Sequence, residues 1–430
     1  MKTKKIFNFL LLLGFLSGCD YLDIVPDNLP TLEMAFNNKS SAERFLFTCY
    51  SFVPEHGKIG TDPGMDVGDE VWYYSDNSAD YSNKTTFWIA KGMQNSNEPL
   101  VDYWNGTQWG KAMFVGIRDC NVFIENIEKV PDLSAYDKET WKAEAKVLKA
   151  FYHFWMMRMY GPIPIIKENI PVSAGEDEVR VVRDKIDDIV TYIVSLIDES
   201  VEYLPLNIQN EAAEMGRITR PAAKAIKAKI LAFVASPFFN GNLDYANFKN
   251  AEGEPFFNQV YDNEKWTKAA DACLEAIQCA EEAGHGLYEF VNMSSTQLSD
   301  ETILSLSNRC KVTERWNKEL VWGCGQSGIR DLQVLCQPWL ESNYSSDDRY
   351  HNARNGTFAP TLAVAETFYT KNGVPMDEDK NYDYSKRYTT QVATEADKYY
   401  IQPGYTTAKL HFDREPRFYA TLGFELVWHW

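Results

Sequence analysis

The sequence predicts a mainly α protein. Its helices pair in the tetratricopeptide manner and carry a long irregular face. Three observations lead there. Apolar residues recur at helical spacing in successive segments from Met113 to Ala280. Alanines stand where such helices would touch. Residues 55–107 break the pattern with Gly, Asp, Asn and Ser, and with rings placed singly.

The elements follow in order. Ala42, Phe45, Leu46, Cys49, Tyr50 and Val53 mark a first helix, with Ser40 or Ser41 as cap and Pro54 as stop. Met113, Ile117, Asn121, Ile124 and Ile127 mark the next strong one. The helix after it carries Trp141, Ala145, Leu148, Tyr152, Trp155 and Met159. Its other side also bears Val147, Ala150, Phe154 and Met157, so burial on more than one face is expected. Gly161-Pro162 ends it. A fourth pattern runs from Asp184 to Tyr203, and a fifth starts at Thr219 with Pro221 in its first turn. Trp266, Ala270, Cys273, Ile277 and Ala280 form the stripe of a sixth. The strict tetratricopeptide signature is absent. Beyond Gly284 the order loosens, with short helices expected at 330–336 and 361–369 and a strand or loop at the end.

The N-terminus reads as an export signal. Lys2, Lys4 and Lys5 precede an apolar run from Ile6 to Leu16, and Leu16-Ser17-Gly18 leads into Cys19. The run is too short for a comfortable membrane span. A cysteine just after small residues is the acceptor of a bacterial lipoprotein. Residues 1–18 are therefore expected to be a signal peptide, and Cys19 to carry acyl chains that anchor the body to a membrane. Residues 19–430 are expected to form one body: a helical-repeat half, 19–285, with the 55–107 insertion, and an irregular half, 286–430.

Composition excludes some functions. A formal net charge of −18 repels nucleic acid. The cysteines after Cys19 are scattered, so no disulfide framework is indicated, although Cys310, Cys324 and Cys336 leave room for one bridge. The histidines stand apart, with no HExxH or CxxC pairing, and His153 reads as a core residue. Gly323 to Gly328 matches GxGxxG but lacks the βαβ setting a nucleotide needs. Asp377-Glu378-Asp379 admits calcium, though a solvated run is the plainer reading. No catalytic residues and no cofactor are indicated.

Aromatic content of 14% is the one compositional pointer to function. Trp72, Trp88, Trp104, Trp316, Trp322, Trp339 and Tyr344 lie in polar, irregular segments. An indole face packs against the C–H face of a pyranose, so these are the candidate ligand contacts.

Several motifs in order resemble one family. Cys19-Asp20-Tyr21-Leu22-Asp23 resembles its lipidated start. Tyr152-His153-Phe154 through Arg158-Met159-Tyr160-Gly161-Pro162 resembles its most recognisable helix end. Gly216-Arg217-Ile218-Thr219, Ser236-Pro237-Phe238-Phe239-Asn240, Asn372-Gly373-Val374-Pro375 and Arg414-Glu415-Pro416-Arg417-Phe418-Tyr419 continue the likeness. The chain resembles the SusD/RagB-like outer-membrane lipoproteins of Bacteroidetes. The resemblance implies a SusD-like α-α superhelix, a surface-exposed body lipid-anchored in the outer membrane, and a SusC-like TonB-dependent transporter as partner. It implies capture of glycans, or of peptides in the RagB branch, and no catalysis. A lid without its own ligand specificity is the alternative. Family members continue past the RxPRFY segment with a further helix pair, whereas this sequence stops at Trp430.

Overall fold

The computed structural model describes residues 32–58, 60–73, 85–325, 332–333, 336 and 358–424. Cys19 and the signal segment lie outside them. After a single helical turn at Leu32–Ala35 comes helix α1, Lys39–Tyr50, capped by Asn38, whose side chain accepts from the Ser41 amide. The irregular stretch holds two short helices, α2 (Pro63–Asp66) and α3 (Thr85–Ala90), and a strand, β1 (Val71–Tyr73). Then come α4 (Met113–Asn126), α5 (Ala135–Tyr160), α6 (Ile186–Val201), α7 (Arg220–Ala235) and α8 (Glu264–Glu282). Each of α4 to α8 packs on the next, and α1 lies on α4 and α5. These are the expected helix pairs.

The sequence places the ends well. Ser134 caps α5 by accepting from the Asp137 amide, 3.0 Å. Gly161 closes it at φ 69°, a conformation that costs glycine little. Thr219 caps α7 ahead of Pro221. Helix α5 is the axis of the main core, with Trp141, Leu148, Tyr152 and Trp155 buried on one side and Val147, Ala150, Phe154 and Met157 on the other.

Helix α8 departs from its expected stripe. Its buried face is Ala269, Ala272, Ala276 and Cys279, while Trp266 and Ile277 are 43% and 54% exposed. Helix α7 presents Ala228 to Ala272 and Ala276. Two backbones this close admit only small side chains, so packing turned the larger ones outward.

The second half is more ordered than expected. Helix α9 (Asp300–Thr313) buries none of its residues, so no apolar stripe announced it. It is capped by Ser299, whose hydroxyl accepts from the Thr302 amide, 3.2 Å. Strand β2 (Phe358–Pro360) pairs antiparallel with β1, setting Trp72 opposite Ala359. Helix α10 (Leu362–Thr367) starts at its Thr361 cap, and β3 (Thr390–Val392) pairs antiparallel with β4 (Thr406–Ala408). The expected terminal strand or loop is instead helix α11 (Pro416–Thr421), because Pro416 pre-sets its first turn. The expected helix at 330–336 lies mostly outside the described residues.

A second core gathers Met376, Tyr382, Ile401, Leu410, Phe412, Phe418 and Tyr419. Arg414 is buried there with no carboxylate paired to it among the described residues. Its guanidinium donates to the carbonyls of Leu410 (2.8 Å), Ala365 (2.7 Å) and Phe368 (2.7 Å), and it lies 4.4 Å from the Phe418 ring centre. It thereby satisfies carbonyls at the end of α10. Cys310, Cys324 and Cys336 are free thiols, so the bridge that spacing allowed is absent among the described residues.

Two polar contacts strap the segment after α5 back onto it. His153 Nδ1 donates to the Lys149 carbonyl, 2.8 Å, and its Nε2 accepts from the Ile166 amide, 3.2 Å. Lys149 Nζ donates to the Lys167 carbonyl, 2.6 Å. Burial pushes His153 down to about 4, which keeps it neutral and able to accept. It is the satisfied core histidine its sequence position suggested.

A buried ion pair joins three elements. Arg217 Nε and Nη2 donate to the Glu144 carboxylate of α5 at 3.1 and 2.7 Å. The Tyr50 hydroxyl of α1 donates to the same carboxylate, 2.6 Å, and accepts from the Ile218 amide, 2.9 Å. Burial opposes the Arg217 charge, but Glu144 beside it outweighs burial and raises its proton affinity. Arg217→Met leaves an uncompensated buried carboxylate and should cost about 3–5 kcal/mol in urea unfolding. Glu144→Leu combined with Arg217→Met should cost less than either single change. A double variant as unstable as the sum of the singles would show that the pair is not coupled.

Candidate ligand-binding surface

The segment 316–325 lies across the start of α7 and lines two neighbouring cavities. Trp322 lines both. Its ring stands edge-to-face on Phe151 of α5, centres 5.5 Å apart, and its Nε1 donates to the Gly216 carbonyl, 3.0 Å. Trp316 is 39% exposed and holds a left-handed backbone at φ 55°. Its ring presses on Gly323, where an added Cβ would come within 2.8 Å of it. Glycine at 323 thus serves close packing against an indole, not a phosphate.

The first cavity, 390 Å³, lies beside Trp316 and Trp322 and is bordered by Asn207, Glu211, His285, Asn317 and Lys318. The second, 450 Å³, is more apolar, with Phe47, Val53, Met215 and Leu320 beside Trp322. Arg217 borders both, but its guanidinium is committed to Glu144 and shapes the floor.

Trp72 and Trp88 form a second aromatic group. Trp72 of β1 packs on Phe87, centres 4.4 Å apart, and Trp88 follows Phe87 on α3. They are 39% and 41% exposed. Asp66 of α2 holds α3 in place: its Oδ2 accepts from the Gly60 amide (2.6 Å) and the Thr86 hydroxyl (2.5 Å). Its buried Oδ1 has no hydrogen-bond partner among the described residues. Burial raises this carboxyl to about 6 despite those hydrogen bonds.

Trp104 faces inward. It packs edge-on against Phe114 (4.8 Å) and Tyr160 (5.4 Å), with Arg183 5.3 Å from its centre. Those contacts give it a packing role that single placement in a polar loop concealed. Trp339 and Tyr344 lie outside the described residues. Sequence reasoning passed over Trp109, which is 62% exposed at φ 71° in a turn organised by Asp102. That carboxylate accepts from Trp104 N (2.8 Å), Asn105 N (3.2 Å) and Thr107 Oγ1 (3.0 Å). The signal was there: Trp109 is bracketed by Gly106 and Gly110.

Among the described residues, the acidic run at 377–379 is not part of a cluster of metal-ligating side chains. Asp379 is taken up by Thr370 Oγ1 (2.5 Å), Asn372 Nδ2 (2.9 Å) and the Asn381 amide (2.8 Å). Among the described residues, no three His, Cys, Asp or Glu side chains converge as metal ligands.

Comparison with known proteins bears on this arrangement. Residues 20–231 match a SusD-like family described as starch-binding and associating with the outer membrane, and residues 329–427 match the SusD family. The chain belongs to the SusD/RagB-like family. Among solved structures, BT4246 is 28% identical with a TM-score of 0.72, covering 89% of this chain and 64% of its own. A SusD-like protein of Bacteroides fragilis, BF3747, is 16% identical with a TM-score of 0.59, covering 90% and 60%. Surface glycan-binding protein A from Bacteroides uniformis is 14% identical with a TM-score of 0.50, covering 90% and 69%. The chain thus spans less than two thirds of the length of BT4246 and BF3747. No curated protein matches it. The SusD-like likeness explains why helix pairs and irregular segments share one chain.

Asp66 supplies a pH test of the aromatic support. A carboxyl raised on folding adds stability below its ordinary value near 3.8 and loses it as pH rises through about 6. Asp66→Asn should remove that fall. Relative to the variant, the wild type should lose roughly 2–3 kcal/mol between pH 4 and pH 7 in urea titrations. Parallel pH profiles for the two proteins would refute the assignment.

Proposed function

We propose that this protein captures glycans at the cell surface without turning them over. In this reading acyl chains on Cys19 hold it in the outer membrane, and it delivers its ligand to a SusC-like TonB-dependent transporter. Membership of the SusD/RagB-like family supports the reading, as does the printed description of the matched family as starch-binding. Among the described residues no helix is long and apolar enough to cross a membrane, which is compatible with a lipid anchor.

The observation that carries the proposal is the cavity beside Trp316 and Trp322. Two indoles border a space of 390 Å³ together with Asn207, Glu211, Asn317 and Lys318. Sugars need that combination: ring faces for their C–H surface and amide or charged groups for their hydroxyls. Each ring contact contributes roughly 0.5–1.5 kcal/mol by analogy with aromatic pairs. With a few hydrogen bonds, affinity of order mM to µM follows. Trp72 and Trp88, both partly exposed, are a separate aromatic group in the same reading.

The 450 Å³ cavity favours a second reading. Phe47, Val53, Met215 and Leu320 there suit an apolar side chain of a peptide. Calorimetry with a panel of oligosaccharides and peptides separates the two. Trp316→Ala should weaken glycan binding about 5–10-fold with no product released, whereas Trp104→Ala should lower the melting temperature. Peptide binding alone would move the protein to the RagB-like branch. Unchanged glycan affinity in Trp316→Ala would remove the cavity from the mechanism.

A further inference from the structure

The connection between α7 and α8, residues 236–262, holds the Ser236-Pro237-Phe238-Phe239-Asn240 motif and takes no part in the surface above. Its side chains close it into a rigid loop. Asn240 Nδ2 donates to the Asp262 carbonyl, 2.8 Å, and its Oδ1 accepts from the Asp262 amide, 2.8 Å. Gly241, at φ 79°, lets the two ends touch: a Cβ there would lie 2.8 Å from the Tyr261 nitrogen. Gln259 Nε2 adds donations to the Asn242 and Phe257 carbonyls, 3.1 and 2.9 Å.

Phe239 and Phe257 root the loop in the main core. Phe238 and Tyr245 stay half in solvent, 48% and 39% exposed, yet both are locked by ring contacts. Tyr245 stacks on Phe257 with centres 4.8 Å apart at 24°. Phe238 stands edge-on to Tyr245 (5.5 Å) and Phe257 (5.9 Å). Tyr261, 59% exposed, lies against Gly241, whose added Cβ would come 3.1 Å from the Tyr261 Cβ. Among the described residues the Tyr245 hydroxyl has no hydrogen-bond partner, while the Tyr261 hydroxyl lies 3.5 Å from Asn263 Oδ1.

We propose that Phe238, Tyr245 and Tyr261 form a second carbohydrate-contact surface that takes the C–H face of a pyranose within a polysaccharide. This rests on the glycan-binding reading and adds a separate point of attachment. Interlocked rings lose little freedom when a ligand lands on them, which favours a flat, weakly bound sugar face. The two surfaces lie at opposite ends of the α7–α8 pair. The first cavity is bordered by Thr219 and Ala283, the loop follows Ala235, and the 16 residues of α7 separate the ends by about 24 Å. A polymer can engage both at once and gain avidity, whereas a short oligosaccharide reaches one.

The test uses the purified full chain in affinity gels containing amylopectin, laminarin or xylan, and calorimetry with the tetrasaccharides of each. Phe238→Ala with Tyr261→Ser should weaken retention by the bound polymer 5–20-fold and leave tetrasaccharide affinity within twofold. Tyr261→Ser alone lies outside the ring stack and should give a partial loss with an unchanged melting curve. Trp316→Ala should weaken tetrasaccharide binding. Full polymer retention by both loop variants overturns the second surface while leaving the glycan reading standing. A folded wild type that binds none of the three polymers overturns both. Retention that falls only in the loop variants overturns the cavity and keeps the loop.

Discussion

The bidentate contact between Arg217 and Glu144 is the constraint on which most of this structure depends. It joins the long central helix to the turn that starts α7, and Tyr50 brings α1 into the same network. A buried charge pair holds only while both members and their hydrogen bonds stay in register. That requirement fixes Gly216 and Met215 in space, and these residues border both cavities. The cavity beside Trp316 and Trp322 is therefore shaped by a charge pair that need not touch any ligand.

The same division between support and contact recurs elsewhere. Asp66 holds α3, and α3 displays Trp88. Asp102 organises the turn that displays Trp109. Asn240 closes the loop that displays Phe238 and Tyr245. In each case a short polar side chain satisfies backbone groups that an irregular segment leaves over, and an aromatic ring is left standing at the surface. Long irregular segments can thus be rigid without regular secondary structure. Arg414 does comparable work in the second core, where its guanidinium donates to backbone carbonyls.

Most helices and their ends were legible because their signals are local. Spacing placed α4 to α7, Thr219 and Pro221 marked the start of α7, and Gly161 closed α5. Helix α9 was missed because it buries no side chain, and α11 because its pattern is only six residues long. The candidate site was legible as residue types alone. Trp316, Trp322, Trp72 and Trp88 stood out as rings in polar surroundings. That Trp104 packs inward, and that Trp109 does not, depends on partners far away in the chain.

By itself the sequence determined the helix-pair architecture, the strongly acidic balance and the presence of more rings than loops of this kind need for a core. Those properties follow from spacing, capping and composition, which act over a few residues. Only the tertiary structure decided which rings reach solvent and which face of α8 is covered. It also brought the 316–325 segment onto the start of α7. Close approach of α7 to α8 admitted alanine and expelled Trp266 and Ile277. Exposure of a side chain is settled by its neighbours in space, and no local pattern encodes them.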